Sequence, residues 1–419
     1  MFCPYWPGDH QAGTGGKFTI YQPIILYRKL SADFIFNGYE LLQQQVLIVN
    51  EAGMITDLVA EQDAGDHIEK MQGILSPGFI NAHCHLELSH MQGLIPKHTG
   101  LVDFVLKVVN ERHVDEARIR AAIEEAETAM LQNGIVAVGD ICNNTLCIAQ
   151  KNKGRMQYHN FIEVAGFIPA LANTRFDKAV AIVEAYRSAE NDCGRATLAP
   201  HAPYSVSPEL FALINEFAGN DLLTIHNQET AAENEFLAKG GGDFVRLYQQ
   251  MGVDISFFKP SGKTSLQTWL PYFTKDQSMM LVHDVCTAET DMEALEFKNQ
   301  NSKSPIFICL CPNANLYIGN TLPDVEMLMQ HTDNMVLGTD SLASNDQLSI
   351  LSEMITLQNN FQSLPLPTLL KWATSNGARA LQLDEQLGSF EKGKQPGVLL
   401  IDGVNNLRLN NDAHVKRIL

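Results

Sequence analysis

Short apolar runs alternate with amphipathic stretches along the middle of this 419-residue chain. The runs are bounded by turn residues and predict strands, while apolar positions three and four apart in the stretches between them predict helices. Strands are predicted at 74–80, 134–140, 157–164, 196–200, 222–226, 279–283, 305–311 and 334–340. Helices are predicted at 114–133, 179–190, 208–218, 233–251, 288–299, 322–330 and 348–362. Eight strands that alternate with helices predict an α/β protein with a (β/α)8 TIM barrel, whose chemistry lies at the C-terminal ends of the strands.

The two ends of the chain carry a different pattern. Residues 18–73 and 386–419 contain short alternating strands, little helix, and turn sequences such as Asn37-Gly38. We therefore expect three parts: an N-terminal arm at 1–17, a small composite β-sandwich from 18–73 and 386–419, and a metal-dependent barrel at 74–385.

Composition and charge exclude several classes of protein. Lys and Arg number 30 against 48 Asp and Glu, so the net charge is −18 and a nucleic-acid partner is not expected. The sequence has no apolar run of 18 residues and no apolar signal core near Met1, so we expect a soluble, cytoplasmic protein without a membrane partner. The eight cysteines lack Cys-x-x-Cys spacing, and we expect reduced, buried thiols.

Histidines and carboxylates lie where the predicted strands end. His83 and His85 stand two apart, so on a strand both imidazoles point the same way and can bind one metal ion. Alone, this spacing is weak evidence, because strands often carry a stray histidine. The other strand-end residues are His201, His226 with Glu229 three positions later, His283 and Asp340. Histidines without a shared role would not all fall at strand ends. We therefore expect these side chains to lie close together at one end of the barrel.

These residues belong to longer motifs that resemble a known family. The segments are 77–85 (PGFINAHCH), 226–230 (HNQET), 282–283 (VH), 338–345 (GTDSLASN), 376–381 (NGARAL) and 387–394 (LGSFEKGK). They resemble the amidohydrolase superfamily, in its cytosine deaminase and chlorohydrolase-like branch, over nearly the whole chain.

The resemblance implies one divalent metal ion per chain, held by His83, His85, His226 and Asp340. Zinc is the expected ion, with iron or manganese as alternatives. Binuclear members use a carboxylated lysine on the fourth strand, and because residues 195–206 contain no lysine we expect a mononuclear site. Glu163 ends the third strand, and two roles stay open for it. It is either an outer ligand of the metal ion or a group that binds substrate or an arginine.

The resemblance also implies a reaction. A metal ion lowers the pKa of its water from ~16 toward ~7, so hydroxide forms at neutral pH, and Asp340 can take the proton. Glu229 is expected to protonate a ring nitrogen, hydroxide aided by His283 then adds to the adjacent carbon, and the amine leaves as ammonia. The alternative for Glu229 is a charge that interacts with the dipole of the helix starting near Thr230.

The expected substrate is an adenosine-like nucleoside. Residues 199–207 (APHAPYSVS) resemble a segment of the S-adenosylhomocysteine/methylthioadenosine and aminodeoxyfutalosine deaminases, and residues 85–89 and 259–265 favour the aminodeoxyfutalosine type. The expected substrate-binding residues are Glu87, His201 and Ser344. The partners expected are this small molecule and, as an option, a second copy in a homodimer.

Two other classes of function stay open at this point. One is a related amidohydrolase that acts on a free base, a chloro- or amino-triazine, or an amide. The other is a non-catalytic barrel, whose sequence sign would be the loss of a ligand or of Glu229, and neither is lost.

Overall fold

The computed structural model describes residues 27–191, 193–300 and 304–419. The predicted arm at 1–17 and the start of the predicted sandwich, 18–26, lie outside the described residues. The strands are β1 (Tyr27–Ser31), β2 (Phe34–Phe36), β3 (Leu41–Leu42), β4 (Gln45–Asn50), β5 (Ile55–Ala60), β6 (Ile68–Lys70), β7 (Ile74–Ser76), β8 (Phe79–Cys84), β9 (Ile135–Cys142), β10 (Gln157–Val164), β11 (Arg195–Pro200), β12 (Leu223–Asn227), β13 (Met279–His283), β14 (Ile306–Leu310), β15 (Met335–Leu337), β16 (Leu399–Asn405) and β17 (Arg408–Arg417).

The α-helices of the described chain are α1 (Leu101–Glu111), α2 (Glu116–Gln132), α3 (Ile148–Lys151), α4 (Ala172–Arg187), α5 (Pro208–Ala218), α6 (Ala231–Lys239), α7 (Asp243–Gln250), α8 (Ser265–Trp269), α9 (Glu289–Gln300), α10 (Pro312–Gly319), α11 (Val325–His331), α12 (Ile350–Asn360), α13 (Leu366–Lys371) and α14 (Gly377–Ala380). Among the described residues, none of these helices is long and apolar enough to cross a bilayer.

Two parallel four-stranded sheets carry the middle of the chain, with strand orders β11-β10-β9-β8 and β12-β13-β14-β15. They contact each other at both edges. The backbone N–H of His226 donates to the carbonyl of His201 at 3.0 Å, and the N–H of Thr339 donates to the carbonyl of His83 at 3.0 Å. Because all eight strands run in parallel, their C-terminal ends lie together. The fold is therefore mixed α/β with parallel sheets, as predicted.

Side chains of these strands are buried on both faces, which explains their nearly continuous apolar sequence. In β9, Ala137 and Ile141 join one buried cluster that runs along the strands, whereas Val138 and Cys142 join another that includes the flanking helices. The alternation follows the two-residue period of a strand. It also places Asp140 on the helix side of the sheet, where a polar residue needs a polar partner.

Some predicted elements have the predicted bounds, and one predicted helix is two helices in the structure. Strands β10 and β13 and helix α5 match the predicted ranges. Helix α5 begins where the Ser207 side chain accepts from the N–H of Leu210 and Pro208 takes the first position. The single helix predicted at 233–251 is wrong, because the chain forms α6 and α7 there. The break falls at Gly240 and Gly242, which adopt φ of 70° and 81°.

Strands from both ends of the chain pair in two further sheets, with orders β5-β4-β1-β6 and β17-β16-β7-β2-β3. Strand β7, which was expected to begin the first barrel strand, instead pairs with β16 and β2. Pro77 separates it from β8 because proline has no N–H to continue a ladder. The pairing places residues 74–76 with the terminal strands, and the division into domains stays a prediction.

Gly139 allows β9 to approach the strand that carries His83. A Cβ added to Gly139 would lie 2.2 Å from the carbonyl oxygen of Ala82. We expect Gly139→Ala to lower the free energy of unfolding by about 3 kcal/mol, at the upper end of overpacking costs. The control is Gly319→Ala at the end of α10, where a Cβ would meet nothing within 4 Å. Urea unfolding measures both variants, and equal stabilities would contradict the close approach.

Candidate active site

Four predicted ligands meet at the C-terminal ends of the parallel strands. His83 is the second-last residue of β8 and His85 follows that strand, His226 lies in β12, and Asp340 follows β15. The Nε2 atom of His85 lies 3.2 Å from the Nε2 atoms of both His83 and His226. The Oδ1 atom of Asp340 lies 3.5 Å and 3.3 Å from the Nε2 atoms of His83 and His85. Zinc bonds of 2.0–2.1 Å in a tetrahedron imply ligand atoms about 3.3 Å apart, so the spacing fits such an ion.

The chemistry of these donors also fits a cation. All four residues are buried, and burial lowers the pKa of His85 to about 3, so its ring is neutral. The Nδ1–H of His226 donates to the carbonyl of His201 at 2.8 Å, which leaves the Nε2 lone pair of His226 free. Each neutral imidazole ring offers one nitrogen lone pair, and the Nε2 atoms of the three histidines converge on one point. A divalent ion between them would accept their lone pairs.

The backbone turns sharply where the strands reach this cluster. Gln228, His283, Asp284 and Asp340 adopt φ of 47°, 83°, 53° and 55°, which L side chains rarely do. Backbone hydrogen bonds hold two of the turns: Asp340 N–H donates to the carbonyl of His83 at 3.1 Å, and Asp284 N–H donates to a β12 carbonyl at 3.0 Å. Left-handed turns of this kind are concentrated at functional sites.

Ser344 has a different place from the one expected. Its side chain is fully buried, and its hydroxyl donates to the Oδ2 atom of Asp340 at 2.6 Å. Ser341, three residues earlier, lines a small cavity beside the cluster. Ser344 therefore orients a carboxylate of the cluster, whereas we expected it to contact substrate.

A buried ion pair that the sequence analysis missed supports the same strand end. Asp140 accepts from the N–H of Leu86, directly after His85, at 2.8 Å. Lys151 of α3 forms an ion pair with the other oxygen of Asp140, and both side chains are fully buried. Asp140 ends a predicted strand and could have been singled out for that reason. Lys151 carries no such signal, because only the fold brings α3 beneath β9.

Glu229 and His283 face each other beside the ligand cluster. The Oε2 atom of Glu229 lies 3.7 Å from the Nε2 atom of His283, and the Glu229 side chain is only 8% exposed. Burial, with the charge of Asp340 adding to it, raises the pKa of Glu229 well above its ordinary value. Glu233 accepts the N–H groups of Gln228 and Glu229 at 2.9 Å and 3.4 Å. Glu229 is thus a carboxyl group poised to hold a proton, which the dipole alternative does not explain.

His85, His226 and Asp340 of the cluster line a small inner cavity of about 180 Å³, which adjoins an outer cavity of about 780 Å³. His201 lines both, and its Nδ1 lies 2.6 Å from the hydroxyl of Ser205. Glu163 lines the inner cavity, where its Oε2 accepts from the side-chain amide of Asn143 at 3.0 Å. Its Oε1 has no hydrogen-bond partner among the described residues. Glu163 and His201 are therefore within reach of a molecule in the inner cavity.

Glu87 lies on the wall of the outer cavity and away from the ligand cluster. Its buried carboxylate forms an ion pair with Arg112, which follows the last residue of α1. It also accepts from the N–H of Asn143 at 3.0 Å and from the side chain of Asn144 at 2.8 Å. These contacts tie α1 to the end of β9. Glu87, expected to bind substrate, is thus largely occupied by protein groups.

Comparison with known proteins agrees with this geometry. The amidohydrolase family model matches residues 74–418, which is most of the chain. The chain belongs to the amidohydrolase family.

Within that family the chain is similar to nucleoside deaminases. It is 25% identical over 397 residues to the 5-methylthioadenosine/S-adenosylhomocysteine deaminase of Halalkalibacterium halodurans, covering 90% of this chain and 83% of the relative. It is 24% identical over 403 residues to the aminodeoxyfutalosine deaminase of a Nitratiruptor species, covering 92% and 95%. Its fold resembles the crystal structure of Helicobacter pylori aminofutalosine deaminase in complex with methylthio-coformycin, with a TM-score of 0.77 at 22% identity over 91% of this chain and 93% of that one.

The cluster geometry predicts one divalent ion per chain. A second group of donors, Glu163, His201 and His226, lies nearby, but it shares His226, whose Nδ1–H is already donated to a carbonyl. We expect elemental analysis to find about one ion per chain and His85→Asn to lose it, while the control His331→Asn, at the surface beside Glu296, keeps it. Two ions per chain, or none after expression with added metal, would contradict the prediction.

Proposed function

We propose that this protein is a metal-dependent hydrolytic deaminase that releases ammonia from an adenosine-like nucleoside. The observation that carries the proposal is the buried Glu229 carboxyl, 3.7 Å from His283 and beside a cluster of three imidazoles and a carboxylate. Ring deamination needs a proton donor next to a hydrolytic centre, and this pair supplies it. The similarity to nucleoside deaminases points to the same reaction.

The proposal includes the full architecture expected from the sequence. The contacts at both edges of the two parallel sheets support a closed (β/α)8 barrel. A buried apolar cluster that contains Leu30, Val49, Leu75 and Val398 supports a composite sandwich of terminal strands. A barrel of this kind presents its strand ends on one face, which is where the ligand cluster lies.

Zinc is the ion we propose for the cluster of His83, His85, His226 and Asp340. Three imidazoles and one carboxylate suit zinc, and iron and manganese accept the same donors. Such an ion, when bound, supplies a nucleophile derived from water near neutral pH.

The chain's own residues then move the protons. Asp340, oriented by Ser344, takes the proton released when water becomes the nucleophile. Glu229 gives its proton to a ring nitrogen, which makes the adjacent carbon electrophilic. His283 holds the attacking oxygen in line with that carbon. The oxygen then bonds to that carbon, and when the carbon–nitrogen bond breaks the proton held by Asp340 leaves with the amine as ammonia. The remaining hydroxyl proton of the adduct returns to Glu229 as the carbonyl forms, so both carboxyl groups regain their starting states.

The outer cavity supports a nucleoside with a long 5′ substituent. Its volume of about 780 Å³ exceeds what a free base needs. Its wall combines apolar residues such as Val105 and Phe167 with Arg175 and Lys178, which have no ion-pair partner in the part of the chain that the structure describes. Arg175 and Lys178 favour a substituent that ends in a carboxylate, as in aminodeoxyfutalosine and S-adenosylhomocysteine. We favour the aminodeoxyfutalosine type.

Glu229→Gln tests the reaction. The change preserves the shape of the side chain and removes the proton, so we expect kcat to fall by about 10²-fold or more while the metal content is unchanged. Glu235→Gln, at an exposed position of α6, is the matched control and should keep its activity. Loss of metal would make Glu229 a ligand, and unchanged turnover would assign the proton to another group.

Substrate choice is tested by kcat/KM for ammonia release. We expect nucleosides with a carboxylate on the 5′ substituent to exceed methylthioadenosine and 5′-deoxyadenosine, and all of these to exceed free adenine, guanine and cytosine, because the buried polar groups would otherwise stay unpaired. Arg175→Gln should reduce the preference for the carboxylate, whereas Arg195→Gln, at the surface beside Gln382, should not. A preference for a free base or a triazine would contradict the proposal.

A further inference from the structure

A single amide side chain contacts the Nδ1 side of the His283 ring. Asn315, in the first turns of α10, places its Nδ2 atom 3.0 Å from the Nδ1 atom of His283. Asn315 is 3% exposed and His283 is 1% exposed, so water does not compete for this contact. The amide Nδ2 is a donor only, so the Nδ1 atom of the ring must accept.

The oxygen atom of the Asn315 amide is consistent with donation from Asn315 to His283. The Oδ1 atom of Asn315 is buried and has no hydrogen-bond partner among the described residues. A buried carbonyl oxygen without a partner is less costly than a buried N–H without one, so the amide is used on its N–H side. The N–H of Asn315 itself donates to the carbonyl of Cys311, which fixes the start of the helix and hence the position of the side chain.

The opposite side of the ring faces the carboxyl group of Glu229. The Nε2 atom of His283 points toward Glu229 Oε2 at 3.7 Å, too long for a direct hydrogen bond. Asp340 also acts on His283 electrostatically. Because Nδ1 accepts from Asn315, the proton of the neutral ring lies on Nε2 and is directed toward Glu229. An oxygen atom beside the line that joins Nε2 and Oε2 can lie within hydrogen-bond distance of both, and it would accept from that N–H.

We propose that Asn315 is a positioning residue that keeps the ring proton of His283 on Nε2. His283 is then a hydrogen-bond donor to the oxygen that adds to the substrate, and to the same oxygen as its negative charge grows. It is not the group that removes a proton from water, which leaves that role to Asp340. The inference rests on the proposed function for its consequence in catalysis, but the position of the proton is a property of the protein alone.

The direct test is nuclear magnetic resonance of zinc-loaded protein labelled with ¹⁵N-histidine. His283→Gln identifies the resonances of this ring by their loss. We expect a pyridine-type Nδ1 and a pyrrole-type Nε2 in the unmodified protein. The reverse pattern in the unmodified protein would overturn the inference, whether or not any variant folds.

Two substitutions then separate the hydrogen bond from the packing. Asn315→Asp keeps the size and replaces the donor by an acceptor, so we expect the proton to move to Nδ1 and kcat to fall about 10- to 100-fold with metal content retained. Asn315→Leu removes the hydrogen bond without offering an acceptor, and we expect a mixture of tautomers and a smaller loss. The control is Asn320→Asp, which adds the same charge to the exposed end of α10 and should leave the ¹⁵N pattern unchanged.

The outcomes distinguish this inference from the proposed function. If Asn315→Asp leaves the proton on Nε2, or moves it without any loss of kcat, Asn315 does not position His283 for the reaction. If the expected tautomer is found but no nucleoside is deaminated, the proposed function fails while the structural assignment holds.

Discussion

The structure depends on one constraint: the nitrogen lone pairs of several histidines converge in a buried pocket at the ends of the parallel strands. The Nε2 atom of His85 lies 3.2 Å from the Nε2 atoms of both His83 and His226, so the lone pairs of buried imidazoles converge on one point. Such an arrangement is unfavourable in isolation and becomes favourable when a cation accepts the lone pairs. The strand ends, their left-handed turns and the groups around them hold these donors together.

Three carboxyl groups near the pocket have different partners, and the partners set their roles. Asp340 is oriented by Ser344 and faces the imidazoles, so its charge is useful there. Glu229 is buried, and the charge of Asp340 adds to the effect of burial, so its neutral form is favoured. Glu87 pairs with Arg112 and ties helix α1 to β9, which is a structural task. Carboxyl groups held in such different environments are how one site carries both an acid and a base.

The sequence predicts the parts of the site that local periodicity controls. Strand ends could be placed within a few residues, so His83, His85, His226 and Asp340 could be expected to lie on the same side of the sheets. Residues whose role depends on tertiary contacts could not be assigned. Ser344 stands in a recognisable motif, but only the turn after β15 shows that its hydroxyl reaches Asp340. Lys151 and Asn315 lie in helices. The periodicity of a helix predicts which of its side chains are buried, but it does not predict which residue each side chain contacts.

The same contacts relate stability to function. Non-glycine residues in left-handed conformations cost of order 1–3 kcal/mol each, and several of them surround this pocket. A cation that binds only the folded chain stabilises it by a comparable free energy, about 2.7 kcal/mol at a free concentration 100 times its Kd. An ion bound by Asp340 would stabilise the turn that this residue makes. A change on either side of the cluster would then affect both the position of an attacking oxygen and the stability of the strand ends.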